Sequence, residues 1–155
     1  MTYTSRPIAP FKIDILSTSD PSSFAAGQQI PFTGTPSNTT ASISSGQITI
    51  YEGSHWKIEY SPVFAGHSTT GQCQFEIQLY SVTDSSYIGH SAWGTTPNQN
   101  HTKKGRLVAS AFILSSEIST SKVIEARIVS QAQMTSASSY DYLGTPSLRA
   151  IELPA

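Results

Sequence analysis

Apolar residues return at every second position along much of the chain. In ITIYEGSHWKIEYSP, Ile48 and Ile50 form one short alternation, Glu52-Gly53-Ser54 interrupts it, and Trp56, Ile58 and Tyr60 resume it. The last three share a face only at a period of two, so the stretch predicts two strands and no helix. The interruption is the expected corner at which the chain leaves one sheet for another. Cys73, Phe75, Ile77 and Leu79 alternate with Gln74, Glu76, Gln78 and Tyr80, and Ile124, Ala126 and Ile128 with Val123, Glu125, Arg127 and Val129. Both patterns predict strands with one buried and one wet side. RLVASAFIL, from Arg106 to Leu114, is apolar in both phases and predicts a strand covered on both faces. In a two-layer sandwich the second cover has to come from another chain or from a terminal arm.

Strands are expected near Gln29 to Thr33, Gly46 to Tyr51, His55 to Val63, Gln72 to Tyr80, Tyr87 to Ala92, Arg106 to Leu114, Lys122 to Gln131 and Ser147 to Leu153. Gly-, Pro-, Asn- and Ser-rich connectors such as Gly34-Thr35-Pro36-Ser37-Asn38 separate them. Short strands between turn signals, with no helical pattern, predict an all-β, antiparallel two-sheet sandwich of the jelly-roll kind. Residues 1–26 differ: Pro7, Pro10 and Pro21 punctuate them, and Phe11, Ile13 and Ile15 alternate as a strand seeking a partner would. The expected organisation is an extended arm over 1–26 and one domain over 27–155. Tyr3, Phe11, Ile13 and Ile15 are the candidate anchors of the arm, and a frayed terminus is the alternative.

Composition narrows the chemistry. The chain has 155 residues and a single cysteine, which excludes an internal disulfide. Charged residues make up 12%, about half the usual quarter, so solubility rests on hydroxyls and amides. A net charge of -1 gives no electrostatic reason to expect nucleic acid or an anionic membrane as partner. No apolar run reaches a signal-peptide core of roughly 7 to 15 residues or a membrane span of ~18, and a chain made in a cytosol, without export through the general secretory route, is the expectation. His55, His67, His90 and His101 stand singly, at no spacing that pairs two imidazoles on a helix, and Cys73 reads as a small core residue. Neither a G-x-S-x-G elbow nor a phosphate-cradling glycine loop occurs, and the carboxylates are scattered. No catalysis, cofactor or metal is expected.

Two features remain as candidate binding chemistry. Trp93, beside Gly94, and Tyr140 and Tyr142 in a serine-rich stretch suit an open platform for sugars, or else plug the ends of a sandwich. Lys57 with Glu59, and Glu125 with Arg127, occupy the wet phases of two strands and would cross-pair if those strands were neighbours.

The order of segments is familiar. Ile30-Pro31-Phe32, GQITIYEGSHWKIEYSP, QFEIQLYSVTDSSYIGHSAW, RLVASAFILSS, KVIEARIVSQ and SLRAIEL together resemble the tumour-necrosis-factor-like jelly roll shared with complement globular heads. The Gly53-to-Tyr60 stretch and the LYSVTDSSYIG hairpin look most like versions found in bacteriophage virions, with Ser81 standing where an acidic residue is usual. The likeness runs from Gly27 to the C-terminus. It implies a homotrimer whose inner sheets meet at a three-fold axis, with His55, Lys57, Glu59, Glu125, Arg127 and Phe112 as expected interface residues. It also implies a virion protein assembled in the host cytoplasm. The first expectation is a head decoration protein bound to the major capsid protein; the second is a fibre tip recognising a host surface glycan through Trp93, Tyr140 and Tyr142.

Overall fold

The computed structural model describes residues 11–14, 25–35, 41–61, 63–66, 73–96, 105–106, 108–132, 140–142 and 147–155. In chain order the strands are β1 (Phe11–Asp14), β2 (Gln29–Ile30), β3 (Ala41–Ser44), β4 (Gln47–Tyr51), β5 (Ser54–Ser61), β6 (Val63–Gly66), β7 (Cys73–Ser81), β8 (Ser86–Thr96), β9 (Gly105–Arg106), β10 (Ala109–Ile113), β11 (Ser121–Ala132), β12 (Tyr140–Tyr142) and β13 (Ser147–Pro154). Among the described residues the only helical element is a 3-10 turn, Ser115–Glu117. A ten-stranded sheet runs in the order β1-β13-β5-β10-β8-β7-β11-β4-β3, with β2 also on β11, and β12-β6-β9 form a small second sheet. The large sheet is antiparallel and curls into a half-barrel, so the fold is all-β as the alternation predicts.

The break in ITIYEGSHWKIEYSP is a crossing between two flanks of this sheet. β4 lies between β3 and β11, whereas β5 lies between β13 and β10. Gly53 takes φ 97°, and a Cβ there would meet nothing within 4 Å, so the glycine serves the backbone angle and not a tight space. The Trp56 indole N–H donates to the Tyr51 carbonyl at 3.3 Å and ties the two strands across the corner.

β8 joins the flanks. Opposite β7 its register slips between Ile77↔Ala92 and Leu79↔Ile88, which places two extra residues in β8 opposite Gln78. The Gln78 amide fills the bulge by donating to the Gly89 carbonyl at 2.9 Å. Gly89 has φ 67°, and a Cβ on it would stand 2.0 Å from the Ser110 carbonyl oxygen. The bulge thus swings β8 onto β10, where the two pair at Ser110↔His90 alone.

The core fills the inside of the curl. Ile48 and Ile50 from β4, Trp56, Ile58 and Tyr60 from β5, Ile77 and Leu79 from β7, and Ile124, Ala126 and Ile128 from β11 are buried together. Cys73 and Phe75, expected on the same face of β7, lie outside the described side chains. Within a single chain the described part of RLVASAFIL is covered on one face. Ala109, Ala111 and Ile113 are buried, but Val108, Phe112 and Leu114 are 49%, 55% and 43% exposed. The described residues of the arm, Phe11–Asp14, pair with β13, two strands away from β10.

β3 and β12 have no counterpart in the strands read from sequence. β3 is a short Ser-rich segment, and it pairs through a two-residue turn in which Ser45 and Gly46 both have positive φ, 53° and 75°.

Candidate functional site

Two outward faces of the sheet carry the chemistry. The first belongs to β13, β5 and β10, whose cross-strand register sets side chains in rows: Arg149, Glu59 and Ser110; Ile151, Lys57 and Phe112; Leu153 and His55. Alternation forces this, since the opposite phases of the same strands, Trp56, Ile58, Ala111 and Ala150, are buried in the core. Glu59 holds the face's charges together: Lys57 Nζ lies 2.8 Å from its Oε1 and Arg149 Nη1 3.7 Å from its Oε2. These pairs are exposed, and such pairs contribute about 0–1 kcal/mol. His55 has a different task. Its Nδ1 accepts the Ser115 backbone N–H at 2.9 Å, and its ring lies 6.1 Å from that of Phe112. That hydrogen bond ties β5 to the 3-10 turn that follows β10.

The second face belongs to β8, β7 and β11. Its rows are Trp93, Glu76 and Ser130; Gln78 and Arg127; Tyr87, Tyr80 and Glu125. Here the charges of β11 are paired within the face. Glu125 is only 3% exposed, with Gln47 Nε2 donating to one oxygen at 2.7 Å and Arg127 Nε paired to the other. The Arg127 guanidinium lies 3.4 Å above the Tyr80 ring, and Tyr80 meets Tyr87 edge-on at 5.2 Å. Burial works against the Arg127 charge, but Glu125 and Tyr80 together outweigh it and hold the proton more tightly than usual.

The expected interface residues therefore divide. His55, Lys57, Glu59 and Phe112 come together on the first face, while Glu125 and Arg127 sit on β11 in the other flank. The two charged pairs do not cross-pair within the chain, because β5 and β11 are not neighbours and each pair closes on itself or on Arg149. Trp93 is 59% exposed on β8. Tyr140 and Tyr142 belong to β12, in the small sheet, and their side chains lie outside the described residues, as do those of Phe11 and Ile13. Tyr3, Ile15, His67 and His101 are likewise outside.

One cluster escaped the sequence reading. Lys122 falls in the inward phase of β11, is 6% exposed, and donates to Asp84 Oδ2 at 2.7 Å. Ser81 Oγ donates to the same oxygen at 2.7 Å. These hydrogen bonds, Lys122 first and Ser81 second, hold the Asp84 carboxyl below the ordinary carboxylate range. The only signal for it was a lysine in phase with Ile124 and Ala126. Ser81, the departure from the hairpin pattern, is the residue that caps this turn.

Among the described residues no group of three His, Cys, Asp or Glu side chains is placed to hold a metal ion. No described helix is long and apolar enough to cross a membrane. Compared with protein-family models and with curated proteins, the chain matches none.

Proposed function

We propose that the chain is a non-enzymatic structural protein of a bacteriophage-type virion, a homotrimeric jelly-roll protein that decorates and stabilises the capsid exterior. The observation that carries this reading is the outward phase of β10: Val108, Phe112 and Leu114 stand exposed beside Ile151, Leu153 and a weak ion-pair network. Exposed apolar side chains on a sheet face gain from a cover, and burying them is worth about 25 cal/mol per Å² before the entropy of association is subtracted. Around a three-fold axis, this face of each subunit supplies that cover.

Strand order supports the jelly-roll part. The chain passes from flank to flank at β4 to β5, β5 to β7, β8 to β10, β10 to β11 and β11 to β13. Such alternation is what two jelly-roll sheets, β1-β13-β5-β10 and β8-β7-β11-β4-β3, joined along one side would require, and it supports that reading. The arm over 1–26 is the proposed capsid contact, with Tyr3, Phe11, Ile13 and Ile15 as anchors. Among the described residues β1 ends the strand order, so its outer edge is the one proposed to take up a strand of the major capsid protein.

Sedimentation equilibrium tests the assembly: the expected mass is that of three 16.7 kDa chains. Co-sedimentation with capsids stripped of decoration tests the partner. A single-chain mass at micromolar concentration, or capsids that leave the protein in the supernatant, rejects the reading.

A further inference from the structure

The face of β8, β7 and β11 differs from an apolar docking surface in what surrounds its aromatic residues. Trp93 shares a row with Glu76 and Ser130, and Gln78 lies in the next. Each polar neighbour is already held in place. Ser130 Oγ donates to Glu76 Oε2 at 3.2 Å, Gln78 Nε2 is anchored on the Gly89 carbonyl, and Arg127 is clamped between Glu125 and the Tyr80 ring. Among the described residues this leaves Glu76 Oε1 and Gln78 Oε1 without a protein donor, next to an indole that is mostly in water.

We propose that this face binds a neutral glycan, with Trp93 as the stacking platform and Glu76 and Gln78 as acceptors for sugar hydroxyls. A pyranose ring has one face of polarised C–H bonds, which suits the electron-rich face of an indole, and a rim of hydroxyl donors, which suits fixed carboxylate and amide oxygens. Fixing the acceptors beforehand removes part of the ordering cost of binding. From Glu76 to Tyr80 the face runs ~13 Å at the usual rise per strand residue, enough for a di- or trisaccharide.

Charge selects the ligand class. Arg127 is neutralised by Glu125, so Glu76 is left as the unbalanced charge of these rows and disfavours sialylated sugars and phosphodiester chains. Among its described residues the face has no exposed aliphatic side chains like Val108 and Leu114 beside β10, which argues against a second copy of the chain as its occupant. The site is a property of one chain and does not rest on trimer formation or on capsid binding.

The tryptophans provide the readout. Trp56 is fully buried and Trp93 exposed, so collisional quenching by acrylamide reports on Trp93. The full chain is titrated with neutral linear trisaccharides in gluco, galacto, manno and N-acetylglucosamine series, up to millimolar concentrations. At least one should lower the quenching of Trp93 about twofold, and calorimetry should show its affinity falling about tenfold in Glu76→Ala and disappearing in Trp93→Ala, with Phe112→Asp unchanged. No protection by any series overturns the site. Equal protection by a sialylated trisaccharide or by oligothymidylate overturns the neutral-sugar assignment. Protection that rises with protein concentration alone assigns the face to a second copy and overturns the proposal.

Discussion

The outward faces of β13-β5-β10 and of β8-β7-β11 belong to one curled sheet, yet they meet water in opposite ways. On the first, apolar side chains stand exposed and the charges form loose pairs that water screens. On the second, the charges are drawn into a nearly buried network, and what is exposed is aromatic and set among amides and hydroxyls. A face whose charges are paired and whose exposed groups are polar or aromatic is stable when wet. A face with an unmatched apolar phase gains most from a cover, so the two are suited to different partners.

Both faces depend on the junction between them, and breaking it should have the largest effect. Gly89→Ala adds a left-handed backbone penalty to a 2.0 Å approach to the Ser110 carbonyl, on the bulge that brings β8 to β10. The expected loss is on the order of 3–5 kcal/mol, or failure to fold, read by urea unfolding. Gly53→Ala is the control, because φ is again positive but no atom lies within 4 Å. It should cost only about 1 kcal/mol. Equal losses at the two glycines would mean that the junction is not what unites the flanks.

Next in size is an exchange of partners between faces. Phe112→Asp places a charge in the middle of the apolar stripe, at a position 55% exposed in the single chain. It should leave the fold intact and shift the sedimentation mass from three chains to one. Trp93→Ala should leave the mass unchanged. The opposite pattern would reverse the assignment of the faces.

The second flank also contains a pH-dependent lock. Lys122 is buried and relies on Asp84, whose carboxyl is lowered by the lysine and by Ser81. A carboxylate whose folded value is depressed stabilises the fold fully above its unfolded value, about 3.9, and that contribution is lost as pH falls through the folded value. Asp84→Asn should therefore lower stability at pH 7 by about 1–2 kcal/mol, the low side of a buried pair, because Asp84 itself is 44% exposed. Unfolding of the variant measured at pH 7 and pH 3 should differ less than that of the parent; an equal pH dependence would show that Asp84 is not the titrating group.

How much of this was legible beforehand depends on the range of the signal. Alternation is local, so the inward residues of β4, β5, β7 and β11 and the corner at Gly53 could be read directly from sequence. Pairing is not local: nothing in KIE or EAR says that Lys57 and Glu59 share a face with Arg149 while Glu125 turns to Gln47 and Tyr80. Glu76, Gln78 and Tyr80 were visible as a wet phase, but their relation to Trp93 depends on the register slip at Gly89. β3 was missed because Ser-Gly is a weaker hairpin signal than Asn-Gly and its strand is half serine.

The smallest expected effect separates a decorated surface from an interface. Lys57→Ala removes one exposed ion pair with Glu59, and in a single chain its cost should stay below about 0.5 kcal/mol. If three copies meet over this face, the same lysine is desolvated and the change leaves the Glu59 charge less compensated, so the cost should grow with protein concentration. Unfolding of parent and Lys57→Ala should therefore be compared at two concentrations that bracket the assembly transition. A difference that widens at the higher concentration places Lys57 and Glu59 inside the contact. A constant small difference leaves them at its rim and confines the contact to Phe112 and its apolar neighbours.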